Sequence, residues 1–156
     1  MTEDPTAKQR RGRRIAMSPE ELDEFLRTER TCRVASVGAD GSPHNTPLWF
    51  VWDGECLWLN SLVRSQRWTD LQRDPRVSVT VDAGEDYMEL RGAELLGTVE
   101  LVGDAPRTDS LAPELDEPER LFGEKYTGGE FYIDGAHAWL RLRPTKISSW
   151  DFRKLG

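Results

Sequence analysis

Apolar and polar residues alternate with two different periods along the 156-residue chain, and each change of period marks an element. Ser18-Pro19-Glu20-Glu21 combines an N-cap serine, a proline at the first helical position and a glutamate at N3, which is a capping box. Leu22, Phe25 and Leu26 follow at i, i+3 and i+4, so one apolar stripe is predicted on a helix ending near Thr28. Period two then takes over. Strands are expected over Cys32–Val37, Asn45–Trp52 and Glu55–Ser61, with Gly38-Ala39-Asp40-Gly41 and Asp53-Gly54 as hairpin turns. In the third strand both parities are apolar, which predicts burial on both faces. A short helix over Arg64–Arg73 carries Trp68 and Leu71 three apart, and Asp74-Pro75 closes it.

Val77, Val79 and Val81 alternate with Ser78 and Thr80 in a strand over Arg76–Asp82. A turn at 83–86 leads into a long strand predicted from Tyr87 to Val102, in which Gly92 and Gly97 mark bulges or barrel corners. Between Asp104 and Gly129 the pattern turns to proline, acid and helix. Pro113 and Pro118 divide it into two short helical pieces, the second holding Leu121, Phe122 and Tyr126. A last strand spans Ala138–Trp150. Six strands linked mainly by short turns, with one helix before them and short helices inserted, describe an α+β domain. Its antiparallel strands are expected to close into a barrel, because closure removes exposed edges.

Composition narrows the class of protein. The chain is 37% hydrophobic and 31% charged, with a net charge of −7, and one domain of this size needs no disulfide or metal for stability. Residues 1–17 carry Lys8, Arg10, Arg11, Arg13 and Arg14 against Glu3 and Asp4, and are expected to form a disordered basic arm before a domain over 18–156. The acidic body argues against nucleic acid as a partner. No apolar run of membrane-spanning length and no signal sequence is seen, so a cytoplasmic protein without membrane contact is expected. Cys32 and Cys56 are read as buried free thiols, with one disulfide between them as the alternative. His44 and His137 form no metal pattern, so no metal is expected. No catalytic motif with a protein nucleophile appears, and no catalytic residue is assigned. Chemistry is therefore expected to come from an organic cofactor.

The most informative stretch is Leu59-Asn60-Ser61-Leu62-Val63-Arg64-Ser65-Gln66-Arg67. A strand ends in two small polar residues and passes into a helix start bearing a hydroxyl and a guanidinium, a combination suited to phosphate. The alternative is that Ser65 merely caps the helix and Arg67 is solvated. Elsewhere the plain readings are preferred. Trp49, Trp52 and Trp58 are read as core, His44 as a turn-flanking residue, Tyr87 as structural, and Glu89 with Arg91 as a surface pair on one strand face.

The order of elements and the run Asn60-Ser61-x-x-x-Ser65-Gln66-Arg67-x-x-x-Leu71-x-x-Asp74-Pro75-Arg76-Val77 resemble the pyridoxamine 5'-phosphate oxidase-like superfamily over residues 18–150. The resemblance implies a six-stranded antiparallel split β-barrel with flanking short helices, working as a homodimer with flavin or deazaflavin at the interface. It implies that Arg67 binds the cofactor phosphate beside Ser65 and Gln66, and that Asn60 and Ser61 contact ribityl or ring atoms. It further implies that Asn45, Thr46, Pro47 and Leu48 line the ring edge, while Tyr87, and more loosely Trp150, reach the cofactor of the partner subunit. Arginine stands at 67 where the family usually has lysine, which keeps the charge but alters geometry. The C-terminal arginine and histidine signature that holds pyridoxal phosphate is missing, so oxidation of that vitamin is not expected.

Arginine outnumbers lysine 17 to 4, and the resemblance is strongest to an actinobacterial branch in which many members use coenzyme F420. Arg64, Arg67, Arg73 and Arg76 offer positive charge to the long anionic tail of that coenzyme, or else form a solvated face with Asp70 and Asp74. The function expected is an oxidoreductase that binds F420, or failing that FMN, and transfers hydride to a small unsaturated or oxidised organic substrate. The alternatives are a non-catalytic flavin, haem or tetrapyrrole carrier or sensor on the same barrel, and a barrel that binds only a protein.

Overall fold

The computed structural model describes residues 3–156. Helix α1 (Pro19–Thr28) begins at the expected capping box: the Ser18 hydroxyl accepts from the Glu21 amide and the Glu21 carboxylate accepts from the Ser18 amide. Strands β1 (Thr31–Val37), β2 (Pro43–Trp52), β3 (Leu57–Leu62), β4 (Arg76–Ala83), β5 (Arg91–Val102) and β6 (His137–Asp151) close a barrel in the order β1-β2-β3-β6-β5-β4, every neighbouring pair antiparallel. Helix α2 (Gln66–Arg73) links β3 to β4, and α3 (Asp116–Tyr126) lies in the connection from β5 to β6.

The alternation of side chains sorts the apolar residues into two cores. Cys32, Val34, Phe50, Leu57, Leu59, Val77, Val79, Val81, Leu95, Leu140 and Leu142 fill the barrel, sealed by Leu22, Phe25 and Leu26 of α1 and Trp68 and Leu71 of α2. A second cluster on the outside gathers Val51, Cys56, Trp58 and Trp139 under Leu115 and Phe122. This explains the doubly apolar β3, whose Leu57 and Leu59 face one core while Trp58, with Cys56 just before the strand, faces the other. Cys32 and Cys56 therefore belong to different cores, and both are free and buried.

The two strand glycines have distinct causes. At Gly97 the β5–β6 register shifts, as a bulge does. At Gly92 a Cβ would stand 2.6 Å from the Trp150 ring and 2.7 Å from the Val81 carbonyl oxygen, so only glycine lets β4, β5 and β6 close at that point.

Three expectations need correction. The long strand starts at Arg91, because Tyr87–Glu89 forms a 3-10 turn, and Arg91 donates to the Glu89 carbonyl instead of forming a strand-face ion pair with its side chain. Pro118 does not divide the 104–129 segment. The break falls between a 3-10 turn at Pro113–Leu115 and α3, and Pro118 sits in the first turn of α3, where a missing N–H costs nothing.

The third correction concerns residues 3–17, which dock on the barrel. Gln9 donates through Nε2 to the Ser149 carbonyl at 2.9 Å and accepts from the Ser149 amide at 3.0 Å, and the Met17 amide donates to the Ser149 hydroxyl. Two short 3-10 turns at Pro5–Lys8 and Arg13–Ile15 hold this path. Deleting residues 1–14 is accordingly expected to lower stability by about 2 kcal/mol. That is a fall in melting temperature of roughly 4–8 °C, measurable by calorimetry; an unchanged melt would mean that the Gln9 pairing contributes nothing. Among the described residues no helix is long and apolar enough to cross a membrane.

Candidate functional site

Strand β3 ends and α2 begins around Ser65, whose hydroxyl accepts from the Trp68 amide at 3.1 Å and donates to the Leu62 carbonyl at 2.8 Å. Its cap role occupies that hydroxyl, and the Gln66 amide is likewise engaged, donating to Asp70 Oδ1 at 2.9 Å. Arg67 follows on the face of α2 turned toward the barrel. It is only 6% exposed. Its Nε donates to Ser61 Oγ at 3.3 Å and its Nη1 to Thr46 Oγ1 at 2.7 Å. Inward positions on β2, β3 and α2 thus bring three of the expected site residues together.

The partners of this guanidinium are hydroxyls. Among the described residues it makes no ion pair with a carboxylate, whereas other arginines such as Arg107 and Arg141 do. Burial accordingly pulls the Arg67 pKa below its ordinary value. Burial also pushes the neighbouring Cys32 thiol up to about 12, so that group supplies no countercharge. A buried cation without an anion is costly, and an anionic ligand would relieve it. Asn60, next to Ser61 in the chain, is buried on the other face of β3, opposite Trp139 on β6, and its Nδ2 has no hydrogen-bond partner. A buried guanidinium with two hydroxyl acceptors and no anion fits a phosphate-bearing ligand.

Strand β2 divides the remaining residues by parity. Thr46 and Leu48 turn inward and are half-buried, while Asn45, Pro47 and Trp49 are exposed on the outer face. Asn45 shares a cleft of about 450 Å³ with Arg33, Thr80, Asp82, Arg91 and Trp150. Trp150 thus lines the same outer cleft as Asn45. Tyr87 is 68% exposed and packs on Phe152, with ring centroids 5.0 Å apart. Tyr87 and Trp150 make no hydrogen bond to the Arg67 group among the described residues.

Several features were not visible in the sequence. Trp49 is not core: it is 45% exposed and stacks on Tyr126 at 4.3 Å with 9° between the planes, while the Arg30 guanidinium lies 4.9 Å from the Tyr126 ring. Burial of Lys125 beside Phe50 pulls its pKa down to about 8. Asp70 is fully buried, and His44 stands in β2 with its Nδ1 3.7 Å from that carboxylate. Their placement was legible only as parity, His44 with Thr46 at i, i+2 and Arg67 with Asp70 at i, i+3. The four basic residues around α2 are not equally free either. Arg76 is bound to Asp74, and Arg73 donates to the Val37 carbonyl. Among the described residues no group of three or more His, Cys, Asp or Glu could hold a metal ion.

Comparison with known proteins agrees with this fold. The profile of one family, described as pyridoxamine 5'-phosphate oxidase, matches residues 18–151. The chain is similar in structure to a conserved hypothetical protein, Rv2991, from Mycobacterium tuberculosis, with 35% identity, a TM-score of 0.78, and coverage of 96% of this chain and 92% of the other. It is similar in fold to a protein described as an F420 reductase (23% identity, TM-score 0.62, 81% of this chain and 94% of the other). It shares its fold as well with HutZ, described as a haem storage protein, from Vibrio cholerae (19% identity, TM-score 0.67, 85% and 95%). No curated protein matches the sequence.

Proposed function

The chain belongs to the pyridoxamine 5'-phosphate oxidase family, and on that premise we propose that it binds a phosphate-bearing deazaflavin or flavin, F420 first and FMN second, and reduces a small unsaturated or oxidised organic molecule. The observation that carries this reading is Arg67, a buried guanidinium whose only hydrogen-bond partners among the described residues are the Thr46 and Ser61 hydroxyls. Such a group is set for an anion and costly without one.

Arg67 would hold the cofactor phosphate, with Thr46 and Ser61 fixing the plane of its guanidinium. Asn60, whose Nδ2 lacks an acceptor, would donate to a ribityl or ring oxygen. Residues 45–48 would set ring orientation. Pro47 has no N–H, so a main-chain donor on this strand comes from a neighbour such as Leu48 or Trp49. The bound coenzyme supplies the hydride; the protein supplies position and exclusion of water. Ser65 supports the site indirectly by capping α2, and Gln66 by holding Asp70. A homodimer, in which Tyr87 and Trp150 reach the partner's cofactor, completes the proposal. Proton delivery is left to solvent or to the substrate's own exchange.

Parallel titration with F420 and FMN, followed by tryptophan fluorescence, tests binding; anaerobic mixing of the reduced, bound coenzyme with quinones, enones and biliverdin tests turnover. Saturable quenching by one coenzyme and its oxidation above the blank are expected. Binding without oxidation by any acceptor would turn the reading to a carrier, and absence of quenching by either coenzyme would overturn it.

A further inference from the structure

Arg67 and Asp70 lie three residues apart on α2, a spacing at which opposite charges on a helix ordinarily pair. They do not pair. The Asp70 carboxylate has no exposure, and its Oδ1 accepts from Gln66 at 2.9 Å and from Arg73 Nη2 at 3.5 Å, the latter an ion pair. Its Oδ2 has no hydrogen-bond partner, and His44 Nδ1 is 3.7 Å away, beyond hydrogen-bond reach. His44 Nδ1 is itself buried and unpartnered. So is the hydroxyl of Ser36, a residue 3% exposed that lies directly across the β1–β2 pair from His44. Orphaned polar atoms are rare in folded proteins, yet three of the four found among the described side chains meet where α2 packs against β1 and β2.

A proton on His44 would resolve the arrangement. Protonated imidazole can close the 3.7 Å gap to a charge-assisted bond with Asp70, whereas neutral imidazole leaves one buried carboxylate oxygen without a partner. Thr46, which holds Arg67, is two residues along the same inward face of β2. We propose that His44 is a positioning residue for the anion site: when protonated it engages Asp70, so that an anion on Arg67 binds without opposition from a buried carboxylate one helical turn away. The proposal rests on reading Arg67 as an anion anchor.

Arg73 pairs with Asp70 through Oδ1 and leaves Oδ2 without a partner. Helix α2 contributes Asp70, Arg73 and Arg67, and the inner face of β1 contributes Ser36 and Cys32, whose thiol keeps its proton at neutral pH. In the β1–β2 turn, Asp40 accepts from the Ser42 amide, and Arg33 on the opposite face of β1 pairs with Asp82. Imidazole is the side chain among these whose ordinary titration falls between pH 5 and 8. By reciprocity, a bound anion strengthens the hold of His44 on its proton.

Proton NMR tests this cleanly, because His44 and His137 are the two histidines of the chain, and sulfate serves as a probe whose charge is constant over that range. Asp70→Asn is expected to lower the His44 midpoint in the ligand-free protein while His137 stays put. Sulfate should raise the His44 midpoint in the parent chain and bind about fivefold or more tightly at pH 5.5 than at pH 8. His44→Gln should abolish that ratio. An unmoved His44 midpoint in Asp70→Asn overturns the proposal; if that variant does not fold, an unchanged pH ratio in His44→Gln does so. The two readings fail separately. Sulfate binding that is lost in Arg67→Ala but independent of pH removes the role of His44 and leaves the cofactor proposal standing. Sulfate binding that follows His44, with no binding of F420 or FMN, supports His44 and overturns the cofactor proposal. No sulfate binding at all overturns His44 as well.

Discussion

Arg67→Ala is expected to weaken coenzyme binding about 100-fold, roughly 2.7 kcal/mol, while leaving the fold as stable as before or more so. The two halves of this result have one cause. In the free protein the Arg67 guanidinium is buried with hydroxyl partners and no carboxylate, and its lowered pKa reports the cost of that burial. Truncation removes a desolvated charge, so folding loses little. In the complex the same charge would meet phosphate with at least one charge-assisted hydrogen bond, and truncation removes it. Arg67→Lys should fall between, at about tenfold, because an ammonium keeps the charge but cannot span Thr46, Ser61 and an anion in one plane. Calorimetric titration and a thermal melt, run on the same samples, check the opposition of the two effects. An unchanged affinity, or a collapse of stability with no specific loss of affinity, would show that Arg67 is a structural residue.

Trp139→Ala is expected to produce the largest loss of stability, about 3–5 kcal/mol. Trp139 has no solvent exposure and contacts Phe122, Phe131 and Trp58 at centroid distances of 5.7, 5.5 and 6.3 Å. Its Nε1 donates to Glu119 Oε2 at 3.1 Å, on a carboxylate that also binds Arg107. One ring thereby ties β6 to β3 and α3, and its removal empties the centre of the outer core. For a domain of this length the melting temperature should fall by roughly 10 °C. Trp139→Phe should cost less, since most of the aromatic contact survives and Glu119 keeps Arg107. A loss below about 1 kcal/mol for the alanine variant would mean that the outer cluster collapses around the gap or is not a core.

Local signals carried much of the architecture. The Ser18–Glu21 capping box, the valine alternation of β4, the doubly apolar β3, the bulge at Gly97 and the cap at Ser65 all depend on residues close in the chain, so their pattern survives in one dimension. Failures arose where a single polar residue decides the outcome. Gln9 docks the N-terminal segment by pairing with the Ser149 backbone, and one glutamine among arginines has no periodicity to betray it. Trp49 reads as core by composition but lies at the outward parity of β2, where its ring meets Tyr126.

Charge was least legible. Arg67 and Asp70 sit in a polar helix with a strongly charged flank, which reads as a solvated face, yet both are buried. Periodicity, caps and turn glycines define six strands and the helices around them, because each is a property of neighbouring residues and the backbone obeys it wherever the segment lies. The environment of a charged side chain belongs to segments far apart in the chain. Closure of the barrel sets β1, β2 and α2 against one another, and that packing removes water from Arg67, Asp70 and Ser36 together and buries the Nδ1 edge of His44. Which hydroxyl or carboxylate each then meets follows from strand register, and register is fixed by the whole apolar interior at once.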